Sequence, residues 1–264
     1  MRRILFLLGM TAAAGMLAAQ EPGNVPETKA PAPTQNAPQT TLSGHPLNAY
    51  WTAHDKQLLT DFGWLARFKE DDVKLGAPAP GEKRVVFMGD SITEGWHFEE
   101  PSGFPGKGYI NRGISGQTTP QMVVRFRQDV IDLQPKVVVI LAGTNDIAGN
   151  TGPMTLEQTE ENLMDMADLA AANHIKVVLC SVTPAYDYPW SPGLEPAPKI
   201  DAINAWMKQY AADKGYVYVD YHSAMKDGRD GLPANLSHDG VHPNAAGYAI
   251  MAPLAEAGIE KALK

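Results

Sequence analysis

Short apolar runs, each followed by a turn and then by a stretch with helical periodicity, do most to narrow the folds open to this chain. Val85-Val86-Phe87-Met88 ends at Gly89, Val137 to Leu141 ends at Ala142-Gly143, and Ile175 to Val182 is a third such run. Apolar runs of this length, broken in the third only by Lys176 and Ser181, are strands covered on both faces. Tyr109-Ile110 and Tyr216 to Val219 are two further short strands. Between them lie helical stretches: Pro120 as a first helical residue with Met122, Phe126 and Val130 as its stripe, Thr155 to about Ala172, Ile200 to about Ala212, and Asn244 to Ala262. Strands alternating with helices imply right-handed βαβ crossovers, and so a largely parallel α/β sheet with helices on both faces.

Upstream of the first strand the chain changes character twice. Met1 to Gln20 carries Arg2 and Arg3, an apolar run from Ile4 to Leu8 and then small residues, which reads as a signal peptide over 1–19. The run is too short and too diluted by alanine to span a bilayer, although a retained anchor is the alternative reading. From residue 20 to 47 the chain is rich in Pro, Thr, Gln and Asn, a composition that cannot bury enough surface to offset its ordering entropy, so a tether is expected there. The folded domain is expected over 48–264, opening with a helix on which Leu58, Leu59, Phe62, Leu65 and Ala66 recur at helical spacing and pack on the sheet.

Charge and cysteine content exclude several classes of function. The formal charge of −8 becomes −10 once Arg2 and Arg3 are removed, which argues against nucleic acid and against stable association with anionic membranes. The single cysteine, Cys180, sits inside an apolar strand and can form no intramolecular disulfide. An exported protein, periplasmic or extracellular, is expected, held together by its core. Oligomeric state leaves no mark in the sequence.

In a parallel sheet the turns that follow the strands all emerge on one edge. Gly89-Asp90-Ser91 follows the first strand, Asn111-Arg112-Gly113-Ile114-Ser115-Gly116 the second, and Ala142-Gly143-Thr144-Asn145-Asp146 the third. A serine hydroxyl, a glycine backbone and an asparagine amide can therefore converge. A serine becomes a nucleophile when a base takes its proton, and the oxyanion it generates needs preorganised donors. Each residue also has a plainer reading: Ser91 with Glu94 as a capping box, Gly113 and Gly116 as turn glycines, Asn145 as a helix cap.

The base has to be found among seven histidines. His45 lies in the tether, His54 in the first helix, His97 close to Ser91 in sequence, and His174 at a helix end. His222, with Asp220, follows the last strand and is a second choice. The spacing Asp239-x-x-His242 inside Ser237-His238-Asp239-Gly240-Val241-His242-Pro243 favours that turn, because the carboxylate can reach the near ring nitrogen while the far one faces outward. The same turn also reads as a metal site built from His238, Asp239 and His242, or as a surface turn ahead of a helix cap at Asn244.

In this order, Gly89-Asp90-Ser91-Ile92, Asn111-x-Gly113, Gly143-x-Asn145-Asp146 and Asp239-x-x-His242-Pro243 resemble the blocks of the SGNH, or GDSL-type, serine hydrolases. Isoleucine stands at 92 where that family often has leucine. The resemblance implies a flavodoxin-like, three-layer α/β/α domain with a five-stranded, mostly parallel sheet. It further implies Ser91 as nucleophile, His242 as base, Asp239 as its orienter, and an oxyanion hole made by the Ser91 and Gly113 N–H groups and the Asn145 side chain. No metal or organic cofactor is implied. Asp90 and Asp146 are expected to support the turns, with Asp90 also bordering the substrate.

Tyr186-Asp187-Tyr188-Pro189-Trp190 follows the Ile175 strand on the same edge, and Tyr186 and Trp190 could wall a sugar or small acyl group; a loop that merely covers apolar surface is the alternative. Export and the lack of a long apolar lid segment favour a small ester partner, a short acyl group on a carbohydrate. Lipid esters, as in lysophospholipases and acetylhydrolases, and a non-catalytic carbohydrate-binding module are the alternatives.

Overall fold

The computed structural model describes residues 40–264, so the expected signal segment and residues 20–39 of the tether lie outside the described residues. Five strands, β1 (Val85–Gly89), β2 (Ile110–Gly113), β3 (Val137–Leu141), β4 (Lys176–Cys180) and β5 (Val217–Val219), form one sheet in the order β2-β1-β3-β4-β5. Every neighbouring pair is parallel. This is the flavodoxin-like order, in which the chain runs outward from β1 to β2 and then returns past β1 to β3. The loops leaving β1 and β3 consequently diverge and open a crevice at their carboxyl ends.

Helices α1 (Ala49–Thr60) and α2 (Lys69–Leu75) precede the sheet. Then follow α3 (Ser91–Glu94), α4 (Thr119–Asp129), α5 (Thr144–Ala148), α6 (Leu156–Ala172), α7 (Ala197–Lys214), α8 (Tyr221–Met225) and α9 (Ala245–Ala262). Strand alternation sorts the core into two layers. Val86, Met88, Val138 and Ile140 pack with Met122 and Phe126 of α4, Leu163 and Met166 of α6, and Ile203 of α7. Val85, Phe87, Val137 and Val139 face the other way, onto Met251 and Ala255 of α9 and an aromatic group of Trp96, Phe98 and Phe104. Both faces are therefore dry, which explains the apolar runs. The long helices start where their caps dictate: Thr155 and Gln158 form a capping box at α6, and Asn244 Oδ1 accepts from the Ala246 and Gly247 N–H groups at α9.

The opening helix departs from expectation. It stops at Thr60 instead of running through Ala66, because the Asp61 carboxylate accepts from the Leu65 and Ala66 N–H groups at 2.9 and 3.0 Å and Trp64 turns left-handed at φ 53°. Leu59, Phe62 and Leu65 are exposed and do not pack on the sheet. Three glutamines instead strap this turn to the body, with Nε2 of Gln121, Gln117 and Gln128 donating to the carbonyls of Phe62, Gly63 and Leu65. Residues 41–45, assigned to the tether from composition, are tied to α1: Asp55 accepts from the Leu42 N–H, the Ser43 N–H and the Ser43 hydroxyl, and His45 is buried while the Leu42 side chain stays exposed.

Two glycines allow the short helix α3 to lie against the strand ends. A β-carbon at Gly89 would fall 2.1 Å from Thr93 Oγ1, and one at Gly113 would fall 2.1 Å from the Glu94 nitrogen. Gly113→Ala therefore has to push α3 off β2, and it is expected to lower unfolding stability by about 3 kcal/mol in urea titrations, the upper part of the usual range for overpacking. A change below about 0.5 kcal/mol, the size of a neutral surface substitution, would show that this approach is not tight.

Candidate active site

Ser91 is the first residue of α3, and Asp90, not Ser91, is its cap: the Asp90 carboxylate accepts from the Ile92 N–H at 2.9 Å. The capping-box reading of Ser91 and Glu94 therefore fails, and Glu94 is engaged elsewhere, by the Ser115 N–H and hydroxyl and by Arg67. With the cap supplied by its neighbour, the Ser91 hydroxyl is released. It lies 2.9 Å from His242 Nε2, and His242 Nδ1 lies 2.6 Å from Asp239 Oδ2.

The turn that carries the histidine is pinned through Asp239 and Ser237. Asp239 Oδ1 accepts from the Val241 and His242 N–H groups at 3.0 and 2.8 Å, while Ser237 Oγ accepts from the Gly240 N–H and sits 2.7 Å from the His242 carbonyl oxygen. Burial pushes the Asp239 carboxyl up, but the His242 N–H, the His242 ring and the Val241 N–H outweigh it and hold the group at about 2. An ionised Asp239 accepts a hydrogen bond from Nδ1–H and holds the proton on that nitrogen, which leaves Nε2 as the acceptor facing the serine. Both ring nitrogens are thus engaged, and among the described residues no three His, Cys, Asp or Glu side chains, His238, Asp239 and His242 included, are grouped to hold a metal ion. His222 is buried with Nε2 3.6 Å from Asp201, while Asp220 caps α8, so that pair serves the α7 and α8 side of the fold.

A cavity of about 270 Å³ opens at the Ser91 hydroxyl, lined by Tyr50, Trp51, Ser91, Ser115, Gly116, Asn145, Asn150, Trp190 and His242. A larger concavity, about 780 Å³, lies at the amino ends of β4 and β5 among His174, Lys176 and Lys214, and it brings no nucleophile to a base.

Gly113 does not line the cavity at Ser91. Its N–H is already donated to Asn111 Oδ1 at 2.8 Å, and its lack of a side chain serves the approach of α3. Gly116, three residues on and left-handed at φ 78°, takes that place, and neither its N–H nor that of Ser91 meets an acceptor among the described residues. Asn145 spends one amide hydrogen on the Gln117 carbonyl at 3.0 Å and retains the other at the cavity.

Two residues hold this arrangement and gave no signal in the sequence. Asn150 donates to Asn145 Oδ1 at 2.9 Å and to the Gly116 carbonyl at 3.1 Å, and accepts from Trp190 Nε1 at 3.1 Å. Arg125, fully buried and paired with Asp129, donates to the Gly89 carbonyl at 3.0 Å and to Gln117 Oε1 at 2.6 Å, which ties the serine strand to the loop that orients Asn145.

The wall residues divide. Trp190 borders the cavity with its ring centroid 5.8 Å from that of His242. Tyr186 points elsewhere, 58% exposed and beneath the Arg229 guanidinium. Asp90 is only 1% exposed and cannot border a substrate; its carboxylate is consumed in capping. Asp146 accepts from the Thr119 N–H at 3.0 Å and from its hydroxyl, locking the start of α4 to α5. Burial pushes both the Asp90 and Asp146 carboxyls up to about 6.

Residues 87–250 match the GDSL-like lipase/acylhydrolase family. An acetylxylan esterase of Geobacillus stearothermophilus is 30% identical over 224 residues, which cover 71% of this chain and 98% of that protein. An acetylxylan esterase of Xylanibacter ruminicola is 30% identical over 246 residues, 80% of this chain, and the chain spans 48% of that relative's length. Among solved structures, a GDSL-like lipase of Bacteroides thetaiotaomicron is 46% identical with a TM-score of 0.74, covering 76% of this chain and 100% of that one.

The buried carboxyls carry a measurable sign. Each titrates near 6 in the folded chain against 3.8 when free, so the ionised form costs stability. The cost is absent below about pH 3.8 and complete above about pH 6. Asp146→Asn removes it at one site, so the stability of the variant relative to the parent is expected to shift in the variant's favour by an amount on the order of 2 kcal/mol between pH 4 and pH 7. Parallel denaturation curves at the two values would refute this if the difference stayed constant.

Proposed function

Because this chain belongs to the GDSL-like lipase/acylhydrolase family and is a carboxylic-ester hydrolase, we propose that Ser91, His242 and Asp239 act as a triad that removes a short acyl group, acetyl above all, from a carbohydrate. One observation carries this reading: the hydrogen-bonded series from Ser91 Oγ through His242 to Asp239 opens into a small cavity walled by Trp190.

In the first step His242 Nε2 takes the Ser91 proton as Oγ attacks the ester carbonyl carbon. The charge that develops on the carbonyl oxygen is met by the Ser91 N–H, the Gly116 N–H and the free Asn145 amide hydrogen. Collapse of the tetrahedral intermediate breaks the bond to the alcohol, which leaves with the proton held by His242. Water then attacks the acyl-serine, His242 takes its proton, and collapse returns that proton to Ser91 Oγ as the carboxylic acid leaves. Asp239 stays ionised throughout and stabilises the imidazolium. Asn150 and Arg125 keep the donors in place, so little reorganisation is needed as charge develops.

The cavity volume supports the short acyl group, and the partly buried indole of Trp190 beside His242 offers a surface on which a sugar ring can stack through its apolar face. The amino-terminal arginines and apolar run support export; mature protein beginning near Gln20 in intact-mass measurement would be the expected sign, and an unprocessed chain in the exported fraction would count against it.

Ser91→Ala is expected to abolish fluorophosphonate labelling and to lower kcat on p-nitrophenyl acetate by about 10⁴ to 10⁶. Asn145→Ala is expected to cost about 10² to 10³ in kcat, the usual loss for one oxyanion donor. Acetylated xylo-oligosaccharides should be deacetylated faster than p-nitrophenyl palmitate is cleaved. Full labelling in Ser91→Ala would remove the triad assignment, and preference for palmitate would overturn the short-acyl reading.

A further inference from the structure

Two residues of the cavity come from outside the residues that match the family model. Tyr50 and Trp51 sit on the first turn of α1 and line the same space as Ser91, Gly116 and His242, whereas the family match begins at residue 87. The Tyr50 hydroxyl stands over the oxyanion glycine, 3.2 Å from where a β-carbon on Gly116 would lie, and the His54 ring stands 3.7 Å from that point. Tyr50 meets Trp51 edge to face at 5.1 Å, and Trp51, only 4% exposed, stacks on His45 at 3.6 Å.

This wall is fixed in position. Asn48 caps α1 by accepting from the Trp51 N–H at 2.9 Å, and Asp55 clamps the backbone of Leu42 and Ser43 so that His45 reaches Trp51. Downstream of α1, Gln117 Nε2 holds the Gly63 carbonyl, and the Gln117 backbone carbonyl is the group that takes the Asn145 amide. One residue therefore bolts the segment after α1 to the loop that presents the oxyanion donors.

We propose that α1 is the acyl-length gauge of the enzyme: the rings of Tyr50 and Trp51 close the cavity beyond Gly116, so that an acetyl group fits and a chain with several more methylenes is excluded. This rests on the short-acyl reading of the same site and assigns it to named residues. Each methylene that can be buried favours binding by about 0.8 kcal/mol, so an unwalled apolar cavity would prefer the longer ester; the wall reverses that preference by occupying the space.

The experiment compares kcat/KM for p-nitrophenyl acetate, butyrate and octanoate in the full chain, in Tyr50→Ala and in Asp55→Ala. Tyr50 is 56% exposed, so its truncation leaves the core intact, and Asp55→Ala frees the clamp without touching the cavity. The octanoate-to-acetate ratio is expected to rise at least fivefold in Tyr50→Ala and to move the same way in Asp55→Ala. A smaller rise in Tyr50→Ala, or an equal fall on all three esters, overturns the gauge. The parent chain separates the two readings: if it prefers acetate and the ratio does not move, only the gauge is lost, whereas a parent that prefers octanoate or cleaves none of the three loses the short-acyl reading as well.

Discussion

The in-register parallel pairing of β1 with β3, Val85 opposite Val137 through to Gly89 opposite Leu141, is the constraint on which the site depends. It places the turn carrying Ser91 and the turn carrying Asn145 side by side although more than fifty residues separate them in sequence. A slip of one residue would turn Val85 and Phe87 into the wrong layer, so burial on both faces makes the register expensive to change. The geometry of the cavity is thus inherited from the packing of the core. Arg125 adds a direct link, reaching from the Gly89 carbonyl to Gln117 within the fully buried space beside β1.

Charge around the cavity is managed by two opposite devices. Asp239 is surrounded by N–H donors and stays ionised, as the partner of an imidazole has to be. Asp90 and Asp146 are fully enclosed, and burial drives their protonation upward even though each accepts backbone hydrogen bonds. Their work is structural: Asp90 satisfies the N–H at the start of α3 and Asp146 fixes the start of α4. The cost of burying them is the cost of holding two short elements at fixed angles beside the serine. Sites that need rigid donors commonly carry such local destabilisation, offset by the core around them.

The cavity wall and the proposed triad are drawn from different parts of the chain. The residues proposed to react follow the strand ends or sit on the turn before α9, and all of them fall within residues 87–250. The walls come from α1 and from the loop after β4, which supply Tyr50, Trp51 and Trp190. Asn150 joins the two, because the same amide that orients Asn145 also takes the Trp190 indole N–H. A change of wall residue can therefore reshape the cavity while the Ser91–His242–Asp239 hydrogen bonds are left alone, provided the Asn150 bonds survive.

Much of this was legible in the sequence, for reasons of range. Strand runs, helix caps at Thr155 and Asn244, and the Asp239-x-x-His242 contact are local, and their geometry follows from spacing within a few residues. The choice between Gly113 and Gly116 was not local: they lie three residues apart, one at the end of β2 and one in the turn after it, and only the arrival of α3 against Gly113 and of Tyr50 over Gly116 tells them apart. Asp90 and Tyr186 looked suited to a substrate wall because they follow the right strands, yet a cap and an arginine claimed them. The ordered residues around His45 were hidden by a composition typical of tethers, since a single stacked ring and one clamping carboxylate suffice to hold them. By itself the sequence determined the elements, their alternation and the residues able to do the chemistry, because those follow from periodicity and side-chain type. Which groups face the cavity, and what closes it, was decided by tertiary structure, because that depends on contacts between segments whose separation along the chain carries no information about their distance in space.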